Sequence, residues 1–282
     1  MMPPPSPPAT AVRGGPVVVK LGGDVLVGAA LLAVARDLHA AGAATGGRIL
    51  VVHGGGPQAT ALSERLGLPP RLVGGRRVTD APTLDVIKMV VAGAVNVDLV
   101  AALRARGVPA VGLHGASGVV RALRRPPRVV AGGGDDPVDF GLVGDVTGFD
   151  QTLLSLLGEA GYWPVLACLG IDPAGVVLNI NADVVASQLA GAVGAAALVA
   201  VTAVGGVRSD RNDPATRLSR LTVSEARAAI QDGTVADGMI PKLEEAFAPL
   251  DAGVPAVHIV APGEIARALE APGTAGTLLV AG

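Results

Sequence analysis

The 282-residue chain reads as an α/β protein built on a mostly parallel sheet, and three observations predict that class. From Pro16 onward, short β-branched runs, glycine turns and helical stretches alternate. Half the residues are hydrophobic and the mean hydropathy is positive, enough for one large core or two linked lobes. Forty glycines and 22 prolines against 2% aromatics describe many short elements joined by tight turns, with Val, Leu, Ile and Ala filling the core.

In chain order, residues 17–21 read as a strand, 29–41 as a helix and 49–53 as a strand. A helix at 57–66 is opened by Pro57, whose missing N–H costs nothing in a first turn. Residues 83–106 read as one or two helices and 110–113 as a buried strand. The stretch 119–146, with Pro126, Pro127 and Gly132 to Gly134, breaks the rhythm and predicts hairpins or an excursion. Beyond it come a helix (151–160), a strand (164–169), a hairpin-like piece (176–180), a helix (184–193) and a strand (197–202). Thr222 and Glu225 have capping-box spacing before a helix through Ile230. A helix at 242–250, a strand at 256–260, a helix at 264–270 and a strand at 277–280 close the chain. The expected organisation is a flexible proline-rich tail (1–15), an N-terminal lobe (16–195) and a C-terminal lobe (196–282).

Composition excludes several classes. A formal charge of −2 with dispersed arginines gives no basic stripe, so no nucleic-acid partner is expected. The densest basic cluster, Arg121, Arg124, Arg125 and Arg128 around two prolines, is expected to coat an exposed hairpin. Cys168 is single, which rules out a disulfide framework or a cysteine metal site. The N-terminus lacks the basic and apolar regions of a signal peptide, and apolar stretches such as 190–201 are too short and glycine-broken to span a bilayer. The expectation is a soluble, cytoplasmic protein without a membrane partner.

Only three lysines, Lys20, Lys88 and Lys242, stand against nineteen arginines. An ammonium that must act as a point charge on a phosphoryl oxygen is not replaceable by a planar guanidinium, so arginine drift marks the positions where lysine is needed. Lys20 ends the first strand, just before Gly22 and Gly23, where ligands of an open parallel sheet sit; an ordinary lysine at a strand end is the plainer alternative. His53-Gly54-Gly55-Gly56-Pro57-Gln58 is a second strand end, glycine turn and helix start, a backbone nest suited to an anion or a plain turn. Neither a P-loop nor, at these two strand ends, a G-x-G-x-x-G fingerprint is present. Asn179, Asn181 and Asp183 alternate, which places three polar side chains on one side of an extended segment; alternatively Asp183 caps the helix after it. In Gly238-Met239-Ile240-Pro241-Lys242, proline at the first helical position puts Lys242 where the helix dipole disfavours a cation, unless an anion lies beside it. Gly74-Gly75-Arg76-Arg77 offers a turn followed by guanidiniums able to hold a carboxylate. Lys88 has no such surroundings and reads as a surface residue.

Taken in order, Lys20-Leu21-Gly22-Gly23, the His53 to Gln58 motif, Gly75 with Arg77-Val78-Thr79-Asp80, Asn179-Ile180-Asn181-Ala182-Asp183 and Gly238 to Lys242 resemble the amino-acid kinase superfamily, most closely its N-acetylglutamate kinases. The resemblance runs nearly from Val17 to Val280. It implies a three-layer α/β/α sandwich, an N-terminal lobe for the acyl amino acid and a C-terminal lobe for the nucleotide. It also implies transfer of a phosphoryl group from ATP, carrying Mg2+, to the side-chain carboxylate of N-acetyl-L-glutamate, a step of arginine biosynthesis. Lys20 and Lys242 would stabilise the moving phosphoryl group, and Asp183 would hold both ammonium groups and face the metal's water shell without a direct metal ligand. Gly54, Gly55, Arg77, Asn179 and Asn181 would bind the substrate, and Gly22, Gly23, Thr202, Gly205 and Gly238 the nucleotide. Two departures stand out: Ala203 follows Thr202 where the family carries aspartate, and Gly115-Ala116-Ser117-Gly118 replaces Gly-Lys-Asp-Gly. A kinase for a related substrate such as acetyl-aminoadipate, and a non-catalytic metabolite sensor, are the alternatives. The proline-rich start cannot form the N-terminal helix of arginine-inhibited hexameric members, so an arginine-insensitive homodimer is expected.

Overall fold

The computed structural model describes residues 14–130, 132–210, 213–235 and 239–282, with the side chains of residues 214, 241 and 242 also outside the description. The expected tail therefore lies largely outside the described residues, as does Gly238.

The elements, in chain order, are β1 (Val17–Leu21), α1 (Gly28–Thr45), β2 (Ile49–His53), α2 (Gly56–Arg65), β3 (Leu72–Val73), β4 (Arg76–Arg77), α3 (Ala81–Ile87), a π-helical stretch (Lys88–Val95), α4 (Asn96–Arg104), β5 (Ala110–Leu113), β6 (Val120–Arg124) and β7 (Gly144–Phe149). They continue with α5 (Gln151–Glu159), β8 (Trp163–Ala167), β9 (Leu169–Ile171), β10 (Val177–Asn179), α6 (Ala182–Ala192), β11 (Ala197–Val201), β12 (Arg220–Thr222), α7 (Val223–Gln231), α8 (Met239–Asp251), β13 (Ala256–Val260), α9 (Ile265–Glu270) and β14 (Thr277–Val280).

Eight strands form one sheet in the order β12-β14-β13-β11-β1-β2-β8-β5, parallel except where β13 meets β14. β1, β2 and β8 are mostly apolar and nearly buried throughout, as strands covered on both faces must be. The chain leaves β1 toward β2 on one side and returns as β11 on the other. Strand order thus reverses at β1, which opens a crevice at its carboxyl end, the end that carries Lys20.

The excursion is a separate four-stranded sheet, β10-β9-β6-β7, in which β6 and β7 pair antiparallel. Beside it, Phe140, Val130 and Val143 form a small second core. The predicted strand over 164–169 breaks at Cys168, because Trp163–Ala167 pairs with β2 and β5 while Leu169–Ile171 turns into the second sheet. β3 and β4 make a hairpin whose Gly74 and Gly75 both have positive φ (53° and 72°), the conformation a two-residue hairpin turn requires. Residues 81–104 form one continuous helical rod, long and apolar enough by composition to cross a bilayer, although half of its most apolar stretch is buried against the core.

One buried ion ties the two halves together. Asp37 on α1 accepts hydrogen bonds from the N–H groups of Ile265 and Ala266, the first turn of α9. Burial raises its pKa, and the backbone bonds offset only part of that rise.

Candidate active site

A cleft of about 530 Å³ opens at the carboxyl end of β1 and runs toward the excursion. At its deep end Lys20 Nζ lies 2.6 Å from Asp183 Oδ1, with side chains 12% and 24% exposed. Asp183 sits in the first turn of α6, where negative charge suits the dipole. The helix begins at Ala182, two residues earlier than expected, and its cap is Asn181, whose Oδ1 accepts the Asp183 N–H at 2.9 Å. Asp183 is therefore not the cap, and its carboxylate is free to pair with Lys20.

Two glycine loops frame the pair and touch each other. A Cβ on Gly23 would sit 2.8 Å from Pro57 Cδ and 3.1 Å from Gly55 Cα, and one on Gly55 would sit 3.1 Å from Val91 Cγ2. Only glycine permits this approach. The N–H of Gly22 is spent on the Val201 carbonyl and that of Gly54 on Leu21, while no hydrogen bond from the N–H of Gly23 or Gly55 is found among the described residues. Gln58 Nε2 donates to the Gly23 carbonyl at 2.6 Å and fastens one loop to the other.

Beneath the second loop His53 is fully buried. Asn96 Nδ2 donates to its Nε2 at 2.8 Å, which leaves the proton on Nδ1 to donate to the Gly54 carbonyl, also at 2.8 Å. Burial lowers the ring's pKa to about 4, so it is neutral at ordinary pH. Asn96 and Gln58 act in support of the loops and went unread in the sequence, because partners 43 and 35 positions apart leave no local pattern.

Arg77 lines the cleft from β4. Its Nη2 donates to Thr60 Oγ1 at 2.6 Å and to the Gly56 carbonyl, while its buried Nη1 has no partner. A guanidinium fixed on one side and unsatisfied on the other is ready for a carboxylate. Asn179 joins it on the same wall, its Nδ2 donating to Thr79 Oγ1, and Asn181 and Asp183 line the cleft as well, so the alternating triad does converge.

On the other flank, Thr202 ends up buried, and its hydroxyl accepts the Gly205 N–H at 3.2 Å. Gly205 has φ 70°, and a Cβ there would meet Ala261 at 2.6 Å. The Ala203 N–H donates to Asp24 Oδ2 at 3.2 Å, so a carboxylate from the first loop stands beside the position where the family carries aspartate. α8 begins at Met239, not at Lys242, so Pro241 is its third residue and Lys242 its fourth. The Lys242 side chain lies outside the described residues. Glu245, one turn on, lines both the cleft and a smaller pocket of about 80 Å³ beside Lys20 and Asp183.

Lys88 pairs with Asp85 at 2.6 Å on the surface. The arginine segment departs from expectation: Arg124 is on the surface with Asp139, but Arg125 and Arg128 line the cleft, the former only 10% exposed and paired with Asp145 at 2.6 Å. The excursion folds back over the site because the Asn179 N–H bonds the Leu142 carbonyl and Leu142 bonds Thr79.

The family model for the amino acid kinase family matches residues 15–261. The chain is 58% identical to an acetylglutamate kinase of Sorangium cellulosum over 94% of this chain and 95% of that one. Against an acetylglutamate kinase of Anaeromyxobacter dehalogenans it is 56% identical, over 94% and 98%. Among solved structures, N-acetylglutamate synthase from Neisseria gonorrhoeae, complexed with coenzyme A and N-acetyl-glutamate, superposes with a TM-score of 0.80 at 25% identity, over 96% of this chain and 60% of that one. Carbamate kinase from Giardia lamblia shares the fold at 18% identity, TM-score 0.69, over 96% and 100%. Topology, the placement of Lys20 and these full-length matches lead to one conclusion: the chain belongs to the amino acid kinase family.

Proposed function

We propose that the protein transfers the γ-phosphoryl group of ATP to the side-chain carboxylate of N-acetyl-L-glutamate, forming an acyl phosphate. The observation that carries the reading is the Lys20–Asp183 pair, set between two touching glycine loops in one cleft with the unpartnered Nη1 of Arg77. The full-length likeness to acetylglutamate kinases supports the same reaction.

The acceptor is already an anion at neutral pH, so no general base is needed, and the protein's task is to position groups and neutralise charge. Arg77 and Asn179 hold the α-carboxylate of the acyl amino acid, supplied by the part of the chain over 16–195. Gly23 and Gly55 donate N–H groups to the phosphoryl oxygens, and Lys20 and Lys242 neutralise charge that grows on them. The nucleotide lies on the 196–282 side, by Thr202 and Gly205. Among the described residues no three His, Cys, Asp or Glu side chains gather as a metal cage. A lone Asp183 suits Mg2+ that arrives with the nucleotide and keeps most of its waters. We place the enzyme in the cytoplasm as a homodimer, a state suited to the exposed Met89 and Val97 on the apolar helical rod.

A hydroxylamine-trapping assay with ATP, Mg2+ and a panel of N-acylated acidic amino acids tests this. The expected result is acyl hydroxamate from N-acetyl-L-glutamate. Acetyl-aminoadipate as the better substrate would shift the assignment, and no hydroxamate from any of them would favour a metabolite sensor.

A further inference from the structure

The arginines at the cleft mouth exceed what the reaction requires. Of the substrate's two carboxylates, the α-carboxylate is served by Arg77 and Asn179, and the one that accepts the phosphoryl group lies beside Lys20 and the glycine loops that neutralise it as it is transferred. Yet Arg76, Arg125 and Arg128 also line the cleft, brought there by two separate segments, the β3–β4 hairpin and the stretch after β6. The fold fixes this convergence. The Arg125 N–H donates to the Val143 carbonyl, Arg128 pairs by backbone with Val138, and Val143 bridges to Asn179, so the basic segment is hydrogen-bonded beside the substrate wall.

Charge does not balance there. Asp145 accepts both Nε and Nη2 of Arg125 at 2.8 and 2.6 Å, and Asp139 is occupied by Arg124. Arg76 and Arg128 have no ion pair among the described residues. Burial lowers the pKa of Arg128, and the charges of Arg125 and Arg76 lower it further, while Asp145 opposes them. Three guanidiniums around one carboxylate repel one another until another anion arrives.

We infer that Arg76, Arg125 and Arg128 form a second anion subsite at the cleft mouth, apart from the one Arg77 makes, which receives a carboxylate carried on the substrate's acyl arm. The inference rests on the substrate reading above and adds to it a preference for acyl groups ending in a carboxylate, a group guanidinium recognises through paired N–H donors.

Isothermal titration of the full chain with N-acetyl-L-glutamate and with N-succinyl-L-glutamate tests it. The succinyl compound should bind at least about tenfold more tightly, the worth of one charge-assisted contact. In the double variant Arg76→Gln/Arg128→Gln the ratio of the two dissociation constants should move back by a similar factor. Both residues are exposed, so the folded core is spared, and the two single variants should each give part of the shift. A succinyl compound that binds no tighter than the acetyl one, or a ratio unchanged in the double variant, overturns the subsite alone. If the unmodified protein binds neither compound, the substrate reading falls and the subsite with it.

Discussion

The two ends of the cleft are built differently. At the deep end, Lys20 and both glycine loops spring from the carboxyl ends of β1 and β2, neighbours at the centre of an eight-stranded sheet. At the mouth, the arginines sit on the short β3–β4 hairpin and on the stretch after β6, beside a small cluster of three buried residues, Val130, Phe140 and Val143. On the function proposed above, groups that must be held to fractions of an ångström are on the central sheet, and groups proposed to choose the substrate are on peripheral segments.

Conservative charge swaps at the two lysines proposed to be catalytic should have the largest effect. Lys20→Arg and Lys242→Arg should each lower kcat by about 10²- to 10³-fold in the hydroxamate assay, with unchanged circular dichroism. Lys88→Arg, on the surface, should leave kcat within about twofold. If all three behave alike, the contrast between the cleft and the surface collapses.

At the mouth the damage should appear in substrate binding. Phe140→Ala removes the largest side chain of the small core, at a cost of about 3–5 kcal/mol. It should raise KM for the acyl amino acid while KM for ATP stays within about twofold; a parallel rise in both would show that the two ends are not independent. Arg77→Lys keeps the charge but loses the fork, and should raise the acyl amino acid KM by about tenfold with a smaller change in kcat.

Acidification sharpens the comparison from the core. Burial holds His53 and His258 at about 4, below the unfolded value of 6.5. The unfolded chain therefore takes up these protons first. The stability tied to the neutral rings is complete above pH 6.5 and is lost as pH falls toward 4, on the order of 3 kcal/mol per ring at most. The unfolding temperature should fall across that window, and His53→Gln should flatten part of the fall.

The same division governs what could be read from the sequence. β1, β2, β5, β13 and β14 match their expected spans because short, mostly apolar runs of four or five residues, each bounded on at least one side by glycine or proline, declare a strand. The mouth is legible only in part: Arg77 and the break over 119–146 stand out, but two- to six-residue strands carry too little periodicity to place them, and Arg125 reaches the cleft through backbone pairing with Val143. At helix starts, local rules misled by two or three residues. Asp183 looked like a cap, yet Asn181 serves, and Pro241 looked like the first helical residue although proline is tolerated throughout a first turn. The catalytic candidates themselves could be found, since the scarcity of lysine singled out Lys20, and its partner Asp183 lay in the alternating triad.

The π-helical stretch from Lys88 to Val95 has one further implication. Wider turns there set the angular phase of everything downstream, including Asn96, which must point at His53. Rewinding this stretch to the tighter α-helical geometry with no residue removed would rotate Asn96 by on the order of 100°. The imidazole would then lose its donor, and a helix remote from the reacting atoms would slacken the glycine loop they depend on.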